Sequence, residues 1–262
     1  MKANRFKAVR DAGGTPLGHM IGEFVTRGIA QIVDAAGVDF VVIDMEHAST
    51  SISEAADLIA WLKATTIAPF VRIPEVQYHH TSRVMDAGAL GVVAPNVRTA
   101  EQARALVDAA KYLPVGRRGF CHGGANSDFR TAEPQAFREY MDYAIENTTV
   151  MCLIESPEGV ENLDAIAGTA GVDALWAGFA DLAQYMGISG QFEDARFIDA
   201  LKRIADAAHR HGLAAIIQPS SVEQLLAWRT MGYDTFSYAT DYTMYGNALA
   251  GAIAEAAEAV RN

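Results

Sequence analysis

Six side chains suited to catalysis each stand directly behind a short apolar run. Asp44, Glu46 and His47 follow Phe40-Val41-Val42-Ile43, and Arg72 ends Pro69-Phe70-Val71. Glu155 ends Val150-Met151-Cys152-Leu153-Ile154, and Asp181 lies within Gly178-Phe179-Ala180-Asp181-Leu182. Glu155 and Asp181 are the kind of oxygen donors a hard divalent cation takes. Such an ion commonly accepts one or two protein carboxylates and fills its other positions with substrate and water. A 2-oxo acid suits those open positions, because its carboxylate and adjacent carbonyl oxygen chelate one ion. Singly, either carboxylate would serve as well in a helix cap or an ion pair; at the ends of neighbouring strands, the two together favour a metal.

His47 lies three residues beyond Asp44, a spacing that suits a general base held by a carboxylate. Asp44 and Glu46 are both placed to orient the imidazole, and spacing leaves the choice open. Arg72 presents a planar fork of donors, suited to a carboxylate or to the oxyanion of an enolate, and equally to an acidic neighbour across the site. The free backbone N–H groups after Gly178, around Phe179 and Ala180, offer another place for negative charge. His79 and His80 read as a solvated loop, and His209 and His211 as surface residues at a helix end. His19 and His122 are candidates for the pocket wall.

These residues need a scaffold that gathers them. Candidate strands fall at 17–22, 39–44, 69–73, 90–95, 149–155, 174–178, 213–218 and 235–238. Helical spacing of apolar residues appears between them, as at 52–64, 99–112 and 194–211. Runs such as Leu213-Ala214-Ala215-Ile216-Ile217 are apolar throughout, as strands covered on both faces should be. Strand–helix alternation repeated about eight times in 262 residues predicts a closed parallel (β/α)8 barrel, one domain over 1–262. In that fold every strand C-terminus opens onto one face, so the six side chains meet in one mouth. Gly37 and Gly212 mark helix ends, and Ser51 with Glu54 marks a helix start. Residues 116–131 are irregular and rich in Gly, Arg, His and Asn, a loop expected to shape the pocket.

Composition narrows the class. Lys and Arg total 21 against 32 Asp and Glu, a formal charge of −11, with no basic cluster, which argues against nucleic acid as a partner. The two cysteines, Cys121 and Cys152, are far apart, and the first ten residues lead into no apolar run. No stretch approaches the roughly 18 apolar residues of a membrane span. A reduced, cytoplasmic protein is expected. Neither a P-loop nor a dinucleotide-binding glycine fingerprint follows any strand.

At these residues the sequence resembles the HpcH/HpaI family of metal-dependent, class II hydroxyketoacid aldolases. The resemblance is carried by Ile43-Asp-Met-Glu-His, Val71-Arg, Val93-Ala-Pro-Asn-Val, Gly116-Arg-Arg-Gly, Ile154-Glu-Ser and Gly178-Phe-Ala-Asp-Leu, and it covers nearly the whole chain. It implies one divalent ion per subunit (Mg, Mn or Co) on Glu155 and Asp181. It further implies Arg72 at a pyruvate enolate, Asp44 and His47 as an acid–base dyad, and Ala180 and Asp181 beside the substrate. A 2-oxo acid and an aldehyde are the implied partners, and a homohexamer assembled in part through a terminal helix over 245–261 is the implied assembly. Three positions depart from the family pattern: Leu153 stands where many relatives have glutamine, Phe179 where proline is usual, and His19-Met20 near a common tryptophan. Two rival readings are a related lyase acting on acyl-CoA thioesters, and a barrel that binds oxo acids or metal without turnover.

Overall fold

The strands are Leu17–Ile21 (β1), Phe40–Asp44 (β2), Ala68–Arg72 (β3), Gly91–Ala94 (β4), Thr149–Ile154 (β5), Ala174–Ala177 (β6), Ala214–Ile217 (β7) and Thr235–Thr240 (β8). Each lies within two residues of its expected position. The computed structural model describes residues 2–131 and 133–261 and closes these strands into a barrel in sequence order, every neighbouring pair parallel.

Side chains alternate along a strand, so one parity points into the barrel and the other meets the helices. Phe40, Val42, Phe70, Val93, Met151, Leu153, Trp176 and Ile216 fill the interior. At the N-terminal end, Phe6 from the helix Arg5–Asp11 meets Phe40 and Phe70 edge-on, with ring centroids 5.5 and 5.4 Å away. Burying such a ring contributes about 1.5–3 kcal/mol, so this plug makes that end of the barrel solid. The opposite parity, including Val41, Ile43, Val71 and Leu175, packs against the outer helices. The helix Ala195–Arg210 shows why they dock: Phe197, Ala200, Leu201, Ile204, Ala205 and Ala208 form one apolar stripe at three- and four-residue spacing.

The boundary signals have their expected geometry. Gly37 caps the helix Arg27–Ala36 with φ 81°, a left-handed turn that glycine adopts without steric cost. Ser51 and Glu54 form a reciprocal capping box at the start of Ile52–Leu62. His79 and His80 depart from expectation, because they lie inside the helix Tyr78–Asp86 rather than in a loop. That helix has two adjacent histidines and no side-chain cap; it is fixed by burial of Thr81, Val84 and Met85, a tertiary effect that overrides local preference. The terminal helix runs Asp241–Arg261, four residues longer at its start than the expected span. The Asp241 carboxylate accepts the backbone N–H groups of Gly22, Glu23 and Phe24, which ties this helix to the loop after β1. Among the described residues, no helix is long and apolar enough to cross a membrane.

Candidate active site

The same inward parity that fills the barrel sets the reactive layer at its C-terminal mouth. Asp44 follows Val42, Arg72 follows Phe70, Glu155 follows Leu153, Gly178 follows Trp176, and Gln218 follows Ile216. Arg72, Glu155, Gly178 and Gln218 line a cavity of about 310 Å³, with Asp44 behind Arg72. Its wall includes His47, Arg72, Glu155, Asp181 and Gln218, over a floor of Met20, Val93, Leu153 and Trp176. The sequence-derived residues Phe179 and Ala180 also line it.

Arg72 is the hub. Its Nε and Nη2 donate to the two oxygens of Asp44 at 2.8 and 2.6 Å, a bidentate fork made possible because β2 and β3 pair in register at these residues. Its Nη1 stands 3.1 Å from Glu46 Oε2. Burial alone would raise the Asp44 carboxyl, but Arg72 and the backbone N–H groups of Glu46 and His47 hold it below the usual carboxylate range. Burial likewise opposes the charge on Arg72, and Asp44 more than offsets it.

The carboxylate beside the His47 ring is Glu46, with Oε2 3.7 Å from Nε2, whereas Asp44 touches His47 only through its backbone N–H. Glu46 Oε2 is buried, at ion-pair distance from Arg72 and His47, yet hydrogen-bonded to neither. The His47 side chain is 60% exposed and so stands at the open edge of the cavity.

Glu155 is deeper, only 3% exposed. Its Oε1 accepts the Asn96 backbone N–H at 2.6 Å. Burial pushes its carboxyl up to about 7, reinforced by the charges of Glu46 and Asp181 and opposed by the Asn96 bond and Arg72. Burial also raises Glu46. Carboxylates outnumber cationic groups around this space, and the two acidic side chains on the cavity wall, Glu155 and Asp181, both offer oxygen. That set fits a hard divalent cation. Among the described residues no group of three or more His, Cys, Asp and Glu forms a complete metal cage, so an ion on Glu155 and Asp181 would leave positions for substrate and water.

Gly178 makes room for this carboxylate. A Cβ there would stand 2.4 Å from Glu155 Oε2 and 2.7 Å from its Cβ, closer than real contacts allow. Gly178→Ala is therefore expected to displace Glu155, weakening the apparent affinity for added Mn by about 10–100-fold, as losses around a metal ligand do. Isothermal calorimetry with Mn on the folded variant reads this directly, and unchanged affinity would mean that Glu155 Oε2 is not a ligand.

Two participants escaped the sequence reading. Asn96 has φ 52°, a left-handed position that asparagine tolerates, and this turns its N–H toward Glu155. Gln218 shares the inward parity at the end of β7, and strand position alone was the available signal. Other expectations shift as well. His19 is buried beneath the rim with Nδ1 2.8 Å from the Tyr238 carbonyl oxygen, and His122 packs against Phe137; neither lines the cavity. No lining residue comes from 116–131. That loop folds outward instead, because Arg118 pairs with Asp86 and its guanidinium stacks 4.8 Å over Tyr112.

A parallel barrel whose mouth gathers an arginine, an exposed histidine and buried carboxylates defines an enzyme built for a small anionic substrate. The family model described as HpcH/HpaI aldolase/citrate lyase matches residues 25–241. The 4-hydroxy-4-methyl-2-oxoglutarate aldolase of Hapsidospora irregularis is 37% identical over 185 residues, 70% of this chain and 68% of that protein. The 2-keto-3-deoxy-L-rhamnonate aldolase of Salmonella schwarzengrund is 34% identical over 249 residues, 90% of this chain and 89% of that protein. The crystal structure of an HpcH/HpaI aldolase from Desulfitobacterium hafniense superposes with a TM-score of 0.87 at 28% identity, covering 98% of this chain and 96% of that one. The chain belongs to the HpcH/HpaI aldolase family. It is an aldolase, a carbon–carbon lyase, and class II members of the family use a divalent metal.

Proposed function

We propose that residues 1–262 act as one barrel domain that reversibly cleaves 4-hydroxy-2-oxo acids to pyruvate or hydroxypyruvate and an aldehyde. One divalent ion, Mg, Mn or Co, would be held by Glu155 and Asp181. The observation that carries this reading is the surplus of buried carboxylate oxygen around Glu155, facing Arg72 across one cavity. The relatives, named as aldolases of oxo acids, support the substrate class.

When bound, the ion supplies Lewis-acid polarisation of the oxo group. The protein's own groups divide the remaining work. The backbone around Phe179 and Ala180 orients the substrate carboxylate. His47, directly or through water, takes the proton of the C4 hydroxyl, and Glu46 at 3.7 Å stabilises the imidazolium that results. The C3–C4 bond breaks, C4 leaves as the aldehyde carbonyl, and the electron pair passes to the enolate of C2–C3. Arg72, already aligned by Asp44, directs its remaining N–H groups at the enolate oxygen. Protonation at C3 gives the product, and synthesis runs the steps in reverse.

Deuterium exchange at the pyruvate methyl group in heavy water, followed by NMR, tests this without a guess about the aldehyde. After chelation the exchange should vanish, and added Mg or Mn should restore it. Absence of exchange from both pyruvate and hydroxypyruvate with all three ions would overturn the proposal.

We also place the protein in the cytoplasm, in keeping with its two free cysteines, and assign it a homohexameric assembly. Support for assembly comes from the terminal helix, which exposes Met244, Tyr245, Leu249 and Ile253.

A further inference from the structure

Gln218 stands in the reactive layer without a role in the steps above, and its orientation is fixed by its partners. Its side-chain Nε2 donates to the Ala239 carbonyl oxygen at 3.1 Å and lies 3.7 Å from Met20 Sδ. A backbone carbonyl only accepts, so the amide nitrogen must face it and the amide oxygen must point the other way. Gln218 Oε1 has no protein partner among the described residues, and the side chain lines the cavity. The amide thus presents a fixed acceptor to whatever occupies that space.

Local backbone geometry supports a built feature. Ala239 is held at φ 53°, a conformation that costs a non-glycine residue on the order of 1–2 kcal/mol. Its N–H donates to the Pro219 carbonyl at 2.8 Å while its own carbonyl receives the Gln218 amide, so two bonds clamp β7 to β8 at this point. The pairing of β1 with β8 also slips here, between Gly18 and Met20. Irregularities of this kind re-aim side chains at barrel rims.

Depth decides which substrate the acceptor meets. Met20, which the amide touches, is a floor residue only 3% exposed, and Glu155 is equally buried. The oxo acid must reach Glu155, so it occupies this depth, whereas the aldehyde approaches from the edge where His47 stands. The floor of Met20, Val93, Leu153 and Trp176 carries no hydroxyl, and the hydroxyls of the same cavity belong to Ser220, Thr240, Tyr242 and Thr243 on its wall, where Thr240 Oγ1 already donates to Thr243 Oγ1. Resting on the aldolase reading, we infer that Gln218 Oε1 accepts a hydrogen bond from a hydroxyl on C3 of the 2-oxo acid. It is a specificity-determining residue that favours hydroxypyruvate-type donors over pyruvate. A site built around a hydrogen bond discriminates against the analogue that lacks the hydroxyl more strongly than an apolar pocket discriminates by size.

The test compares rates of C3–H exchange in heavy water for hydroxypyruvate and pyruvate, each divided by its rate with free Mn alone. The Mn-loaded wild-type enzyme and Gln218→Met are measured side by side. Using a ratio cancels any general loss of activity. Wild type should favour hydroxypyruvate, and Gln218→Met should reduce that ratio about ten-fold, the effect of one hydrogen bond. Tryptophan fluorescence titration with each acid gives the same comparison as dissociation constants, without turnover. A ratio within two-fold of wild type in the variant would overturn the assignment. So would an unchanged ratio accompanied by altered discrimination between glycolaldehyde and acetaldehyde, because the hydroxyl would then belong to the acceptor. Exchange from neither acid in the wild type would overturn the aldolase reading itself, and this inference with it.

Discussion

Arg72→Lys is expected to lower the rate of pyruvate methyl exchange by about 10²–10³, the usual cost of losing one oxyanion donor. The substitution keeps the positive charge, so simple electrostatics predicts a mild effect. Geometry predicts a severe one. The guanidinium spans both oxygens of Asp44 at 2.8 and 2.6 Å and reaches Glu46 at 3.1 Å from a third nitrogen. One ammonium nitrogen on a flexible stem cannot hold those three oxygens and also face an enolate. A lysine would settle on Asp44, the more buried partner, and leave both Glu46 and the enolate oxygen unserved. Arg72→Met removes the charge as well, and should destabilise the metal-free protein by about 3–5 kcal/mol, as breaking a buried pair does. The two variants separate the roles: lysine reads the catalytic fork, and methionine the structural charge. Exchange in Arg72→Lys within ten-fold of wild type would mean that the guanidinium does not face the enolate.

How much of this was legible in the sequence depends on the range of the interaction involved. Strand positions were readable because a strand buried on both faces must be apolar throughout, and Phe40–Ile43 or Ala214–Ile217 has no other stable environment. Closure followed from repetition, and closure brought Asp44, Arg72, Glu155 and Asp181 to one end. The partnership among those side chains was not legible. Spacing leaves Asp44 and Glu46 both open as orienting groups for His47, and register across β2 and β3 gives the Asp44 carboxylate to Arg72 and leaves Glu46 beside the ring. Residues 116–131 differ from their expected place for a similar reason. Their polar composition fits a pocket loop, but Arg118 finds Asp86 and Tyr112, far away in sequence, and the loop docks outside. Asn96 acts through its backbone N–H, and its side-chain type carries little sign of that beyond tolerance of a left-handed turn. Gln218 was hidden because an amide gains meaning only from its partner, here the Ala239 carbonyl.

Glu155→Gln should abolish metal-dependent turnover and yet make the metal-free protein more stable at pH 8. In the folded chain burial raises the Glu155 carboxyl to about 7, against an ordinary value of 4.5. Between those two pH values the unfolded chain has released a proton that the folded chain keeps. Stability from this group is therefore complete below about 4.5 and is lost as the pH rises through 7. Above that range the folded state carries the full cost of a buried charge, about 3 kcal/mol when each pH unit counts for 1.36 kcal/mol. Glutamine is neutral at every pH, and its carbonyl can still accept the Asn96 N–H. The metal-free variant should melt about 6–10 °C above metal-free wild type at pH 8. The gap should close toward pH 5, where Glu155 is protonated already. Added Mn should reverse the order, because wild type gains stability by binding the ion and the variant has lost a ligand. Calorimetric melting at the two pH values, with and without Mn, decides the matter. A gap of the same size at pH 5 and pH 8 would show that the buried charge is not its source, and failure of Mn to reverse the order would show that Glu155 is not a ligand.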